Sequence, residues 1–179
     1  ENEYNEFIEK QLEVDAQVFN FGLVDTIEKS REAGQYFNAN NVDIILLHAG
    51  TYATSSLVLP IHQRCQAKVI VLSLQPTPQI NYSETTTGEW LAQCVACPIP
   101  EFTNVLHRAN IQHVVISGLL GLDQQLPNVL SNEVTNHRSE AKRAWYEILE
   151  WILAAKVKRN LQETTIGFLG NTYSGMLDM

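Results

Sequence analysis

Ile44-Ile45-Leu46-Leu47 and Val69-Ile70-Val71-Leu72 decide the fold of this chain. Each is apolar at four successive positions, so a strand built from either must be buried on both faces, as in a parallel sheet covered by helices on each side. An antiparallel strand with one wet face would alternate instead. Working outward from these two runs, strands are expected at Glu13 to Asn20, Val42 to Leu47, Lys68 to Leu72, His113 to Ile116 and Thr165 to Leu169. Helical spacing fills the intervals: Tyr4 to Gln11, Thr26 to Asn38, Thr54 to Gln66, a broken region from Gly88 to Ala109, and Glu133 to Leu161, interrupted near its start. Asp25 followed by Glu28 has the spacing of a capping box, so Asp25 is expected to cap the second helix. The order strand, helix, strand predicts right-handed crossovers and an α/β, doubly wound parallel sheet.

Such a sheet is of the Rossmann or flavodoxin-like kind, and its ligands bind beyond the carboxyl ends of the strands. Residues 1–130 make up this domain. Residues 131–179 supply a long amphipathic helix carrying Ala141, Ala144, Trp145, Ile148 and Ile152, followed by the first strand of a second α/β unit. The sequence opens on Glu1 and stops at Asp178 and Met179, just after that strand, so the fold is expected to be cut short at both ends.

The apolar fraction of 45% and charged fraction of 18% are those of an ordinary globular protein, which sets disorder aside. A net charge of -8 disfavours nucleic acid or an anionic membrane as the main partner, because both reward clustered Lys and Arg. With no run of 18 apolar residues, no signal-peptide h-region in the sequence and only three cysteines, the expected setting is cytoplasmic and reducing. Cys94-Val95-Ala96-Cys97 has the spacing of a redox pair or half a zinc site. No second pair completes a zinc site, and the residues ahead of Cys94 look helical, so two ordinary thiols are expected. His48, His62, His107, His113 and His137 lack metal-ligand spacing, and the chain has no phosphate loop, dinucleotide fingerprint or nucleophile elbow. No catalytic residue and no metal ligand is therefore assigned.

Uncharged donors, acceptors and aromatic faces remain at the strand tips: Thr51 and Tyr52 after the second expected strand, Gln75 after the third, Asn171 and Tyr173 after the last. Such a set suits a polyhydroxylated neutral ligand, whose hydroxyls need hydrogen bonds and whose C–H faces stack on rings. Polar turns at strand ends are also commonplace without any ligand.

Asp43-Ile44-Ile45-Leu46-Leu47-His48-Ala49-Gly50-Thr51-Tyr52, Val69 to Gln75, Glu101-Phe102 with His113 to Gly118, and Ile166 to Asp178 together resemble the N-terminal region of arabinose and fucose ketol isomerases, in particular the arabinose-isomerase-like branch. The resemblance implies an N-terminal fragment of an aldose–ketose isomerase. Its divalent metal, usually manganese, would be bound by residues downstream of this chain. It further implies a homo-oligomer in which Tyr52 and Gln75 contact a neighbouring subunit's sugar substrate, while Met176 lines the site of its own subunit. Cys97-Pro98 stands where arabinose isomerases carry His-Gly, which puts arabinose itself in doubt. Two other classes compete: a stand-alone sugar-binding or regulatory α/β domain, and a flavodoxin-like or response-regulator domain. The last is weakened by the absence of an acidic pair and of a Ser/Thr-rich phosphate loop.

Overall fold

The computed structural model describes residues 2–127 and 132–167. Its centre is a parallel sheet of three strands among these residues, β1 (Ile44–His48), β2 (Lys68–Gln75) and β3 (His113–Leu119), in spatial order β1-β2-β3. The helices are α1 (Asn2–Leu12), α2 (Ile27–Ala39), α3 (Leu59–His62), α4 (Thr87–Ala92), α5 (Ile99–Arg108) and α6 (Ser139–Glu163).

Both faces of the sheet are covered, as the continuous apolar runs require. Ile70, Leu72, Leu74 and Ile116 share one core cluster with Tyr4, Phe7, Ile8 and Leu12 of α1 and Ala144, Ile148 and Ile152 of α6. The intervening residues point the other way: Val69 and Val71 pack with Phe102 and Leu106 of α5, and Ile45 with Ala33 of α2 and Ile61 of α3. Because strand order follows chain order, the crossovers after β1 and β2 lie on one face, the arrangement expected of right-handed parallel connections. Helices α1 and α6, from opposite ends of the described chain, close the second face, with the Phe7 and Trp145 rings 6.3 Å apart and edge-to-face.

Where α6 crosses β3 the approach is close. A Cβ on Gly118 would fall 2.6 Å from the Glu140 carbonyl oxygen and 2.9 Å from Ala144 Cβ, so only glycine fits that strand position without displacing the helix. Gly34 does the same for α2 against α3, at 2.5 Å from the Ile61 carbonyl oxygen.

Several expectations change. Glu13 to Asn20 is not a strand: Glu13, Asp15 and Ala16 still donate backbone hydrogen bonds to Glu9 and Leu12, so the chain finishes winding out of α1 before it extends. Ala16 and Val18 nevertheless pack against the core, which accounts for their apolar character without a ladder. The cap of α2 is Thr26, whose Oγ1 accepts from the Lys29 amide, while Asp25 pairs with the Lys29 ammonium at 2.8 Å. A complete capping box forms at α4, between Thr86 and Glu89. The helix expected from Thr54 to Gln66 is a 3-10 turn at Ser55–Leu57 followed by the short α3, because Pro60 has no N–H with which to continue the first segment. Residues Thr165 to Gly167 carry no regular structure, and the rest of the strand expected there lies outside the described residues.

Two helix ends share a device that feeds the sheet. After α2, Asn41 adopts φ 50° and the amides of Asn41 and Val42 return to the carbonyls of Asn38 and Phe37. After α5, Asn110 adopts φ 56° and the amides of Asn110 and Ile111 return to His107 and Leu106. Both are Schellman-type endings with Asn in the left-handed position, and both release the chain directly into a strand.

Candidate functional site at the carboxyl edge of the sheet

Parallel strands place the ends of β1 and β2 on one edge. The register sets His48 beside Leu72 and Gln75 beside Leu119, so β2 runs three residues past the end of β1 before it leaves the sheet on the same edge. The β1 turn is held from the following crossover. Thr51 Oγ1 donates to the Leu91 carbonyl at 2.9 Å, tying the turn to α4. The Tyr52 hydroxyl donates to Glu101 Oε1 at 3.0 Å, and Glu101 Oε2 accepts from the Ser55 amide at 3.4 Å. Glu101 stands in the first turn of α5, where the helix dipole favours a carboxylate. Beyond β2, Thr77 Oγ1 lies 3.3 Å from Gln93 Oε1, which ties the second turn to the residue capping the end of α4.

Charge state follows from these contacts. The hydrogen bond to Glu101, reinforced by its negative charge, raises the pKa of exposed Tyr52, so its phenol stays protonated. Its proton is engaged by Glu101, while the oxygen lone pairs and the ring remain open to a ligand. His48 is the opposite case. Burial pushes its pKa down to about 4, with only partial opposition from the neighbouring Leu74 backbone. Both ring nitrogens are buried, without a hydrogen-bond partner among the described residues. A neutral imidazole, its nitrogens buried beside the Leu74 backbone, therefore closes the end of β1.

Beside β1 runs a cleft of about 830 Å³, bounded on the far side by the extended segment around Val18 to Val24. That is within the range of small-molecule sites. Its walls are mainly apolar, and His48, Thr51 and Tyr52 line its carboxyl end.

Of the residues singled out from sequence, Thr51 and Tyr52 share this cleft, and Gln75 ends the adjacent strand outside the cleft lining. Asn171, Tyr173 and Met176 lie outside the described residues. Sequence reasoning missed His48 and the bracing role of Glu101. The position of His48 at the end of an all-apolar run and that of Glu101 just inside a Pro-initiated helix were the available signals.

One expectation about this edge is corrected. Cys94 and Cys97 are joined as a disulfide rather than standing as two thiols, and Cys65 is the free, buried cysteine. The segment between α4 and α5 is a tight turn that brings the two sulfurs together, a conformation that a helix continuing through Cys94 would not allow. Among the described residues no group of three or more His, Cys, Asp or Glu side chains converges as metal ligands. Nor is any described helix long and apolar enough to cross a membrane. No protein-family model matches this chain, and no curated protein matches it either.

Proposed function

We propose that this chain is the N-terminal, substrate-contacting part of a metal-dependent aldose–ketose isomerase, built on a doubly wound, Rossmann-like sheet. The observation that carries the reading is the braced Thr51–Tyr52 turn at the carboxyl end of β1, its hydroxyls oriented by Leu91 and Glu101, with Gln75 at the neighbouring strand end. The resemblance of residues 43–52, 69–75, 101–118 and 166–178 to the arabinose and fucose isomerase class supports it.

In this reading Tyr52 offers its ring to a sugar C–H face and its phenol oxygen as an acceptor. Thr51, with its proton committed to Leu91, likewise offers an acceptor, and Gln75 supplies an amide that can both donate and accept. These groups orient the sugar and carry out no proton transfer themselves. A divalent cation, manganese in this proposal, would hold the sugar oxygens during isomerisation. By the same resemblance its ligands are assigned to sequence downstream of this chain. The protein is cytoplasmic and a homo-oligomer on the same reading, and the present chain alone is inactive.

The test is ketose formation by the full-length protein with manganese and a panel of aldoses. Turnover of at least one aldose is expected, with KM raised on the order of tenfold by Tyr52→Phe or Thr51→Val. No ketose from any aldose overturns the proposal. A second reading, a sugar-binding module without chemistry, is favoured by the presence of the cleft within this chain alone. It requires saturable sugar binding by the isolated chain, with Kd below about 1 mM.

A further inference from the structure

We infer that Cys94–Cys97 is a reversible thiol–disulfide exchange site for glutathione-type thiols and disulfides, and that its redox state sets the geometry of the β1 turn. The inference does not depend on what the turn binds.

This bridge is a poor structural staple. It closes a loop with a sequence separation of 3, and cross-links stabilise least when the loop they close is shortest. The chain is no disulfide scaffold either, since its third cysteine is free and buried within an ordinary apolar core.

The two cysteines are also unequal in exposure. Cys97 is exposed, whereas Cys94 is only 7% exposed. Solvent therefore approaches the bridge from the Cys97 side, the division of labour between attacked and resolving cysteines. Cys97 also immediately precedes the Pro98 cap of the ten-residue helix α5, whose amino end stabilises a thiolate.

The bridge joins the end of α4 to the start of α5, and these helices hold the β1 turn through Leu91 on one side and Glu101 on the other. Opening the bridge frees the two anchors to move independently.

In reduction, an external thiolate attacks Cys97 Sγ, the Cys94–Cys97 bond breaks, and Cys94 leaves as a thiolate that takes up a proton. A second external thiol then attacks the mixed disulfide on Cys97, releasing the small-molecule disulfide and the Cys97 thiol. Two external thiols are oxidised as one protein disulfide is reduced, and oxidation runs the same steps backwards.

The experiment poises the native full chain in glutathione buffers of graded ratio, quenches it, and reads thiols by alkylation and mass spectrometry and backbone amides by hydrogen exchange. Moving from oxidised to reduced buffer should expose two more alkylatable thiols after denaturation, and returning to oxidised buffer should restore the internal bridge. Exchange at the Ser55 amide, which donates to Glu101, should rise on the order of tenfold on reduction. Cys94→Ser should accumulate a glutathione adduct on Cys97, whereas Cys97→Ser should not accumulate one on Cys94. A bridge that native protein keeps in fully reduced buffer overturns the proposal, as does absence of the bridge in every buffer. Unchanged Ser55 exchange overturns the coupling to the β1 turn. The wild-type titration alone decides both points should either variant fail to fold.

Discussion

Two buried side chains make the residue scale testable. The Tyr4 hydroxyl is buried, has no hydrogen-bond partner among the described residues, and has its pKa pushed up to about 12, first by burial and then by Glu3. A buried donor left unpaired costs free energy that phenylalanine would not incur. Tyr4→Phe should therefore be neutral or should stabilise by up to about 1 kcal/mol in urea unfolding, and a loss larger than that would show that the hydroxyl has a partner in solution. His48 gives a pH dependence whose sign is fixed. Its folded pKa of about 4 lies below the ordinary 6.5, so the unfolded chain takes up its proton first as pH falls. The stability associated with the neutral ring is complete above pH 6.5 and is lost as pH falls from there towards 4, about 3 kcal/mol in all. Chemical unfolding at graded pH should show this loss in the wild type. In His48→Phe most of it should vanish, leaving the smaller contribution of His62, which burial also shifts downward. Neither effect could be read from sequence. The histidine ends an apolar run, but only the packing around the end of β1 encloses its nitrogens.

At the scale of elements, the helix ends explain both what was legible and what was not. The strands at Ile44–His48 and Lys68–Gln75 were visible because covering both faces of a sheet demands a continuous apolar run, although only β2 is buried along most of its length while β1 is mostly half-buried. Glu13 to Asn20 misled because alternating apolar residues pack equally well from an unpaired extended segment. Asp25 and Thr26 are adjacent candidates for one cap, and spacing alone cannot say which side chain reaches the Lys29 amide. The two Asn-terminated helices were legible in principle, since Asn tolerates φ > 0 better than other non-glycine residues. Replacing Asn41 or Asn110 by Ala should cost about 1 kcal/mol, whereas Gly should be neutral or slightly stabilising, as thermal unfolding would show. Gly118→Ala must move α6 or strand β3, since its new methyl would meet Glu140 and Ala144. A loss of about 1–3 kcal/mol is expected. Gly88→Ala, in the first turn of α4 with its nearest neighbour at 3.9 Å, should cost nothing and gain a few tenths of a kcal/mol. Equal effects at the two glycines would contradict the close crossing of α6 over β3.

For the whole molecule, the gathering of strand ends at one edge of the sheet was predictable because parallel topology sends all strand ends the same way. What gathers there was less so. Glu101 meets Tyr52 across 49 positions of sequence, and no local pattern announces such a contact. The bridge was misjudged for a related reason: cysteine spacing permits a disulfide but does not say whether the backbone between α4 and α5 turns to close it. The docking of α1 onto α6, already described as the closure of one sheet face, has a further meaning in time. The strands join the sheet in the order in which they are synthesised, each beside its predecessor, so β1, β2 and β3 can assemble as the chain emerges. Of the described helices α1 comes earliest in the chain, yet the partner for its Phe7 ring is Trp145, beyond the last described strand. It must therefore wait, partly uncovered, until nearly all of the described chain has been made. Nascent chains arrested after β3 should be cut by protease within α1, and those extended past α6 should resist; equal protection of α1 at both lengths would show that it docks without its distant partner.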